Sequence, residues 1–232
     1  MRVAALVLGA GSGVRLRATL DAGPPKALVA LAGRSPLARS LAALAAVREI
    51  EWVLPVLPAD ALAAWPTLRA ELPDASRVLA PVAGGAERQD SARAGLSALP
   101  SEATHVAVHD AARPLVRAAD VSRVVAAALA HGAALLAVPV RDTIHRVEAG
   151  CIVATPPRSE CWAAQTPQVF RVDWLREAYA KAAAEGLLGT DDAALVARLG
   201  NPVHVVLGDP DNFKITTAAD LARAAALLGT RP

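Results

Sequence analysis

Val3-Ala4-Ala5-Leu6-Val7-Leu8, running straight into Gly9-Ala10-Gly11-Ser12-Gly13, is the stretch that decides the fold class. An unbroken apolar run cut off by glycines is how a strand buried on both faces reads as it enters a tight loop. The run is far too short to span a bilayer and carries no signal-peptide cleavage pattern. Outward from it, the two periodicities alternate. Leu37, Leu41, Leu44 and Val47 repeat at helical spacing after Pro36, and Trp52 to Leu57 is a second short apolar run. Asp60 to Leu72 reads as a helix, Val78 to Pro81 as a weak third strand, and Gln89 to Leu99 as a helix. His105 to His109 is a strand ending at Asp110, Val121 to Leu129 a helix, and Ala134 to Val138 a strand. Strands alternating with helices predict a parallel sheet covered on both faces.

The rhythm then breaks. Thr143 to Thr155 shows short alternating runs around Glu148-Ala149-Gly150, a hairpin signal. Helical patterning returns over Val172 to Glu185 and Asp191 to Leu199. Val203 to Leu207 is a strand, and Thr217 to Leu228 a last helix capped by Thr216 or Thr217. No internal repeat or low-complexity linker divides the chain. The expectation is one α/β domain over residues 1–232: a doubly wound, mostly parallel Rossmann-like sheet with a protruding β-hairpin arm at roughly residues 140–162.

Composition narrows the classes. The 232 residues suffice for a sizeable core, and 54% hydrophobic content excludes intrinsic disorder. A net charge of +2 with interspersed signs, and no long basic run, argues against nucleic acid as the main partner. Cys151 and Cys161 lack metal-site spacing and read as reduced thiols of a cytoplasmic protein, not as a zinc site or disulfide framework. No membrane association is expected.

In an open parallel sheet, ligands bind beyond the carboxyl ends of the strands, and the polar motifs fall there. The glycines of Ala10-Gly11-Ser12-Gly13 let backbone N–H groups approach an anion, and Arg15 and Lys26 add positive charge. The third glycine comes one residue early for a dinucleotide fingerprint, and no acidic residue ends the second strand. No Gly-Lys-Ser/Thr makes it a P-loop. Phosphate binding is favoured over a plain turn. Asp110 is a hard oxygen ligand beside that site, suited to Mg²⁺; capping the next turn or pairing with Arg113 is the structural alternative. Gly84-Gly85, just before a helix, could let the backbone read a base edge. His109 reads as packed or hydrogen-bonded, and an isolated Lys214 as a surface residue.

Taken together, Gly9-Ala10-Gly11-Ser12-Gly13-Val14-Arg15-Leu16, Pro25-Lys26, Gly84-Gly85-Ala86-Glu87-Arg88-Gln89-Asp90-Ser91, Val108-His109-Asp110-Ala111-Ala112-Arg113-Pro114, Pro139-Val140-Arg141-Asp142-Thr143, Gln165-Thr166-Pro167-Gln168, Thr190-Asp191-Asp192 and Asp211-Asn212-Phe213-Lys214-Ile215-Thr216 closely resemble the 2-C-methyl-D-erythritol 4-phosphate cytidylyltransferases, almost end to end. Two departures stand out: Ala27 where the family usually has glutamine or another larger residue, and Gly9-Ala10-Gly11 where it usually has alanine-alanine-glycine.

The resemblance implies that the acceptor phosphate attacks the α-phosphorus of CTP and pyrophosphate leaves. It implies that Arg15, Lys26 and Lys214 are catalytic, neutralising charge on the phosphates, and that Asp110 holds Mg²⁺. Ala10, Gly11, Ser12, Gly13, Gly85, Ala86 and Ser91 would bind CTP; Ala111, Arg113, Thr143, Arg158 and Thr166 would bind the acceptor. It implies a homodimer joined by the arm. A phosphate nucleophile is already ionised at pH 7, so positioning and charge neutralisation can supply catalysis without a strong base. Competing readings are a cytidylyltransferase for another polyol phosphate such as ribitol 5-phosphate, a uridylyl- or guanylyltransferase, and a non-catalytic nucleotide-binding regulator.

Overall fold

The computed structural model describes residues 1–11 and 29–230. Its elements in chain order are β1 (Val3–Leu8), α1 (Pro36–Ala45), β2 (Ile50–Leu57), a 3-10 helix (Ala59–Ala64), α2 (Trp65–Ala70), β3 (Val82–Ala83), α3 (Arg88–Ser97), β4 (His105–Asp110), α4 (Ala118–His131), β5 (Ala133–Pro139), β6 (Arg146–Glu148), β7 (Cys151–Ala154), a short 3-10 turn (Arg158–Glu160), β8 (Trp162–Arg171), α5 (Val172–Ala184), α6 (Asp192–Arg198), β9 (His204–Leu207) and α7 (Ala218–Thr230). Seven strands form one sheet in the order β3-β2-β1-β4-β8-β5-β9. All neighbours are parallel except β8, which runs antiparallel to both β4 and β5.

The opening strand behaves as its sequence dictates. All six residues of β1 are buried. Val3, Ala5 and Val7 join one core with Leu37, Leu41 and Leu44 of α1 and Val121, Val124 and Val125 of α4. Ala4, Leu6 and Leu8 join the other with Leu96 of α3, Leu175 and Tyr179 of α5 and Leu195 of α6. Alternate residues thus serve opposite faces, which is why the run has no polar position. The connections leave β1 toward β2 on one side and β4 on the other, making the β1/β4 boundary the switch point of the sheet.

Three sequence expectations need correction. The third strand is Val82–Ala83, with Val78 of the expected segment making only an isolated bridge to Val53. The expected helix from Asp60 to Leu72 is a 3-10 helix followed by a short α-helix. Pro66 has no N–H to donate and is tolerated only at a helix start, so one continuous helix cannot pass through it. The sheet gains β8, which polar Gln165, Thr166 and Gln168 and the in-strand Pro167 disguise as a loop. Those polar residues are buried, and the pairing with β5 is irregular between Leu135 and Ala137, where the ladder accommodates the proline. The sheet is mostly parallel as expected, with β8 its one antiparallel strand.

The hairpin forms where expected, with β6 and β7 as a separate two-stranded ribbon. Ala149 and Gly150 both take positive φ, 47° and 81°, the geometry of a tight hairpin turn that Gly150 makes accessible. At the other end, Thr217 caps α7. Its hydroxyl accepts from Asp220 N–H at 3.2 Å, while the Asp220 carboxylate accepts from Thr216 N–H, Thr216 Oγ1 and Thr217 N–H, each at 2.8 Å. Partial burial would raise the Asp220 pKa, but these donors override it and bring it down to about 2. Replacing the carboxylate removes partners from several donors, so Asp220→Ala is expected to lower stability by about 1 kcal/mol, the usual cost of a lost helix cap. Urea denaturation at pH 7 measures it.

Candidate active site

Backbone pairing brings three loop starts to one edge of the sheet. Gly9 N–H donates to Val56 O at 2.8 Å, Gly84 N–H to Leu57 O at 2.8 Å and Ala111 N–H to Leu8 O at 3.0 Å. The residues after β1, β3 and β4 therefore converge at the switch point. Ser12, Gly13, Arg15 and Lys26 lie outside the described residues; Ala10 and Gly11 are within them.

Gly84 has no room for a side chain. A Cβ there would collide with the Ala10 methyl and stand 2.6 Å from Ser91 Oγ, so the two loops touch only because position 84 is glycine. Ser91 is buried and holds the neighbouring turn from below. Its Oγ accepts from Gly85 N–H at 3.2 Å and donates to Glu87 O at 3.1 Å. Gly85 and Ala86 remain exposed at the tip. Ser91 thus shapes the loop, and Gly85 and Ala86 present it.

Beside this loop lies a cavity of about 290 Å³ whose lining includes Arg88, Asp110, Arg113, Thr166, Asp191 and Lys214. Asp110, at the end of β4, is its charge centre. One carboxylate oxygen accepts from Arg88 Nε at 3.0 Å and the other from Lys214 Nζ at 2.7 Å. Burial alone would raise its pKa; the adjacent Arg88 and Lys214 charges outweigh it and hold the carboxyl well below the usual range. Asp110 is therefore an anion throughout the physiological range.

Lys214 reaches the cavity because its loop is pinned. Asn212, fully buried, donates from Nδ2 to Gln165 Oε1 at 3.2 Å and Thr166 O at 3.0 Å, and Ile215 N–H donates to Ala112 O at 2.8 Å. Arg113 is fixed by donating to Asn212 O at 2.8 Å and Ala164 O at 3.2 Å. Burial lowers its pKa from the usual arginine value, which leaves it charged at neutral pH. Thr166 faces the cavity, but its hydroxyl is committed: Oγ1 accepts from Asp110 N–H at 3.0 Å and lies 3.1 Å from His109 Nδ1. Burial pushes His109 down to about 4, so it is neutral and structural, in line with its sequence reading. Ala111 is completely buried and belongs to the core. Thr143 and Arg158 are exposed on the arm and do not line this cavity; Arg158 Nη1 donates to Arg141 O at 3.0 Å.

Sequence reasoning gave no role to Arg88, Asp192, Tyr179, Gln165 or Asn212. Arg88 and Asp192 sat inside quoted motifs, and Tyr179 is the chain's single tyrosine, yet nothing in spacing joins residues a hundred positions apart.

The donor set suits one kind of metal. No cluster of three or more His, Cys, Asp or Glu side chains occurs among the described residues. Asp191 lines the cavity, but its carboxylate caps α6 through Ala194 N–H at 2.8 Å and accepts from Gln168 Nε2 at 2.8 Å. Asp110 alone remains. A single carboxylate fits Mg²⁺, which takes most of its ligands from substrate and water, and does not fit a closed zinc or calcium cage.

Three comparisons bear on this arrangement. The family model of 2-C-methyl-D-erythritol 4-phosphate cytidylyltransferase matches residues 3–230. A protein of that name from Geotalea uraniireducens is 44% identical over 233 residues, covering 98% of this chain and 97% of the relative. One from Synechococcus sp. strain WH7803 is 45% identical over 228 residues, covering 97% and 99%. Among solved structures, the 2-C-methyl-D-erythritol 4-phosphate cytidylyltransferase of Thermus thermophilus superposes with a TM-score of 0.77 at 37% identity over 99% of this chain and 100% of that one. The 4-diphosphocytidyl-2C-methyl-D-erythritol synthase of Anaerococcus prevotii gives 0.86 at 26% identity, over 98% and 96%.

Proposed function

The chain belongs to the 2-C-methyl-D-erythritol 4-phosphate cytidylyltransferase family, and from that premise we propose how its own residues carry the reaction. The protein is a nucleotidyltransferase that moves a cytidylyl group from CTP to 2-C-methyl-D-erythritol 4-phosphate in non-mevalonate isoprenoid biosynthesis. The observation that carries the site assignment is Asp110 clamped between Arg88 and Lys214 at the switch point, beside the glycine loop.

In this reading CTP enters between the β1 loop and the Gly84-Gly85 loop. Backbone N–H groups of Ala10, Gly11, Ser12 and Gly13 face the phosphates, and Gly85 and Ala86 meet the base on a turn held by Ser91. Arg15, Lys26 and Lys214 supply the positive charge that neutralises the phosphates. The acceptor's phosphate, already anionic, attacks that phosphorus while pyrophosphate departs. Charge accumulates on the equatorial oxygens, and the cations stabilise it without a proton transfer from the protein. Arg113 orients the acceptor phosphate from the cavity wall beside Thr166, and Ala111 packs in the core behind them. Asp110 would hold Mg²⁺, whose charge would help offset that of the departing pyrophosphate.

The arm completes the assignment. Ile152 is 60% exposed and Val147 54%, with Ile144 and Val153 also exposed, more apolar surface than a lone ribbon keeps in water. We assign it to a second copy of the chain, making a homodimer in which Thr143 and Arg158 reach the partner's acceptor site. No helix among the described residues is long and apolar enough to cross a membrane. With CTP as substrate and two free cysteines, the reading places the enzyme in the cytoplasm, with no nucleic-acid or membrane partner.

Nucleotide choice is tested by thermal protection. A ligand that binds only the folded state stabilises it by about 2.7 kcal/mol at a hundred times its Kd. CTP is expected to raise the melting temperature clearly more than UTP or GTP at equal concentration; equal protection by all three would remove the cytidine assignment. Metal dependence is tested separately. Activity is expected to vanish in excess chelator, and Asp110→Asn to need more Mg²⁺ for half-maximal rate, since an amide lacks the charge that favours the ion. Full activity in chelator refutes the metal; a wild-type Mg²⁺ curve for the variant moves its ligand elsewhere.

A further inference from the structure

Lys214 and Arg88 hold the same carboxylate in different ways. The Lys214 side chain is 38% exposed, on the rim, and among the described residues its ammonium contacts Asp110. Arg88, the first residue of α3, is nearly as exposed, at 31%, but is held from behind. Its Nη1 donates to Asp192 Oδ1 at 2.9 Å, and that same oxygen accepts the Tyr179 hydroxyl at 2.7 Å. Asp192 is almost wholly buried, and its other oxygen has no hydrogen-bond partner. A buried carboxylate with one unsatisfied oxygen is a costly way to fix a helix start, and core packing gives no reason for it. What it does is lock the guanidinium, whose planar fork reaches both carboxylates through separate nitrogens in a fixed geometry.

We propose that Arg88 is a positioning residue for cytidylyl transfer: anchored by Asp192 and Tyr179, it holds Asp110 in place while Lys214 leaves that carboxylate for the substrate phosphates. An ammonium has three donors and a flexible stem, so Lys214 can turn from Asp110 to phosphate oxygen. Without Arg88 that movement would strand a buried anion, and Lys214 would stay bound to it. The inference rests on the cytidylyl-transfer reading of the cavity, and it assigns work to Arg88 and Asp192, which that reading leaves without a role.

The test compares Arg88→Gln, Arg88→Lys, Asp110→Asn and the double variant Asp110→Asn/Arg88→Gln, at saturating Mg²⁺ and at a temperature where each melts well above the assay. Arg88→Gln is expected to lower kcat about 10- to 100-fold, the range for partners that orient a functional group without touching substrate, with little change in the KM for CTP. The double variant is expected to be no worse than Asp110→Asn alone, because Arg88 acts through Asp110. Arg88→Lys is expected to recover melting temperature but not kcat, since a point charge cannot span both carboxylates. A wild-type kcat in Arg88→Gln, losses that multiply in the double variant, or kcat that tracks melting temperature across the set would each overturn the proposal. If Arg88→Gln does not fold, Tyr179→Phe and Asp192→Asn loosen only the anchor; a lower kcat in both supports the proposal, and wild-type kcat in both overturns it. Should the wild-type enzyme form no product from CTP and methylerythritol phosphate, the cytidylyl-transfer reading falls, and that result is separate from any of these.

Discussion

Lys214→Ala is expected to cut kcat by on the order of a hundredfold or more while raising the KM for CTP far less. A charge beside the α-phosphorus is worth most when negative charge builds up there, so its loss falls on the transition state more than on ground-state binding. Removing one such electrostatic stabiliser typically costs about 10² to 10³ in rate. The structure adds a reason for a clean readout. Asp110 keeps Arg88 at 3.0 Å when the lysine is gone, so the carboxylate is not orphaned. With the lysine side chain 38% exposed, the stability lost should be no more than about 1 kcal/mol. Steady-state kinetics alongside a melting curve separate the two effects. Lys26→Ala is expected to show the same kcat-dominated loss. A wild-type kcat in either variant would remove that residue from the chemistry.

The second large effect is complementation between inactive subunits. Lys214 is hydrogen-bonded to Asp110 of its own chain, whereas Thr143 and Arg158 stand on the exposed arm and do not line that chain's cavity. Lys214→Ala and Arg158→Ala homodimers should each be nearly inactive. In a mixed dimer with sites shared between subunits, one site carries both lesions and the other carries neither. Random mixing of equal amounts makes about half the dimers mixed, so roughly a quarter of wild-type activity should return. A tag on one subunit shows by co-purification that the mixed dimers exist. Mixed dimers that form and stay inactive would mean that the arm dimerises the chain without completing its site.

The two-faced burial of β1 could be read directly, because six apolar residues with no polar position leave no face for water. The hairpin was legible from its turn, which needs two positive φ angles and has Gly150 to take one. Asp110 was legible as a strand-end carboxylate. What escaped were features made by contact between distant segments. β8 buries Gln165, Thr166 and Gln168, and their partners lie on other segments: Gln168 bonds Asp191 and Ala193 N–H, and Gln165 bonds Asp209 O. Polar residues read as loop until such partners are known. Arg88 was hidden for the same reason, since its two carboxylates sit 22 and 104 residues away. Lys214 was indistinguishable from a surface lysine by spacing; the resemblance singled it out, and the buried Asn212 explains how it is held. Thr166, expected to hold the acceptor, lines the cavity, and its hydroxyl also ties β8 to β4.

The measurement that tests the account most directly is product formation with paired substrates. Purified enzyme is given CTP, UTP or GTP with either 2-C-methyl-D-erythritol 4-phosphate or ribitol 5-phosphate, and pyrophosphate and the nucleotide-linked product are quantified together. The account predicts that CTP with methylerythritol phosphate gives both in equal amounts, with kcat/KM at least about tenfold above every other pair, a margin of roughly 1.4 kcal/mol in transition-state binding. Equal or faster turnover of ribitol 5-phosphate, equal use of UTP or GTP, or no pyrophosphate from any pair would contradict it.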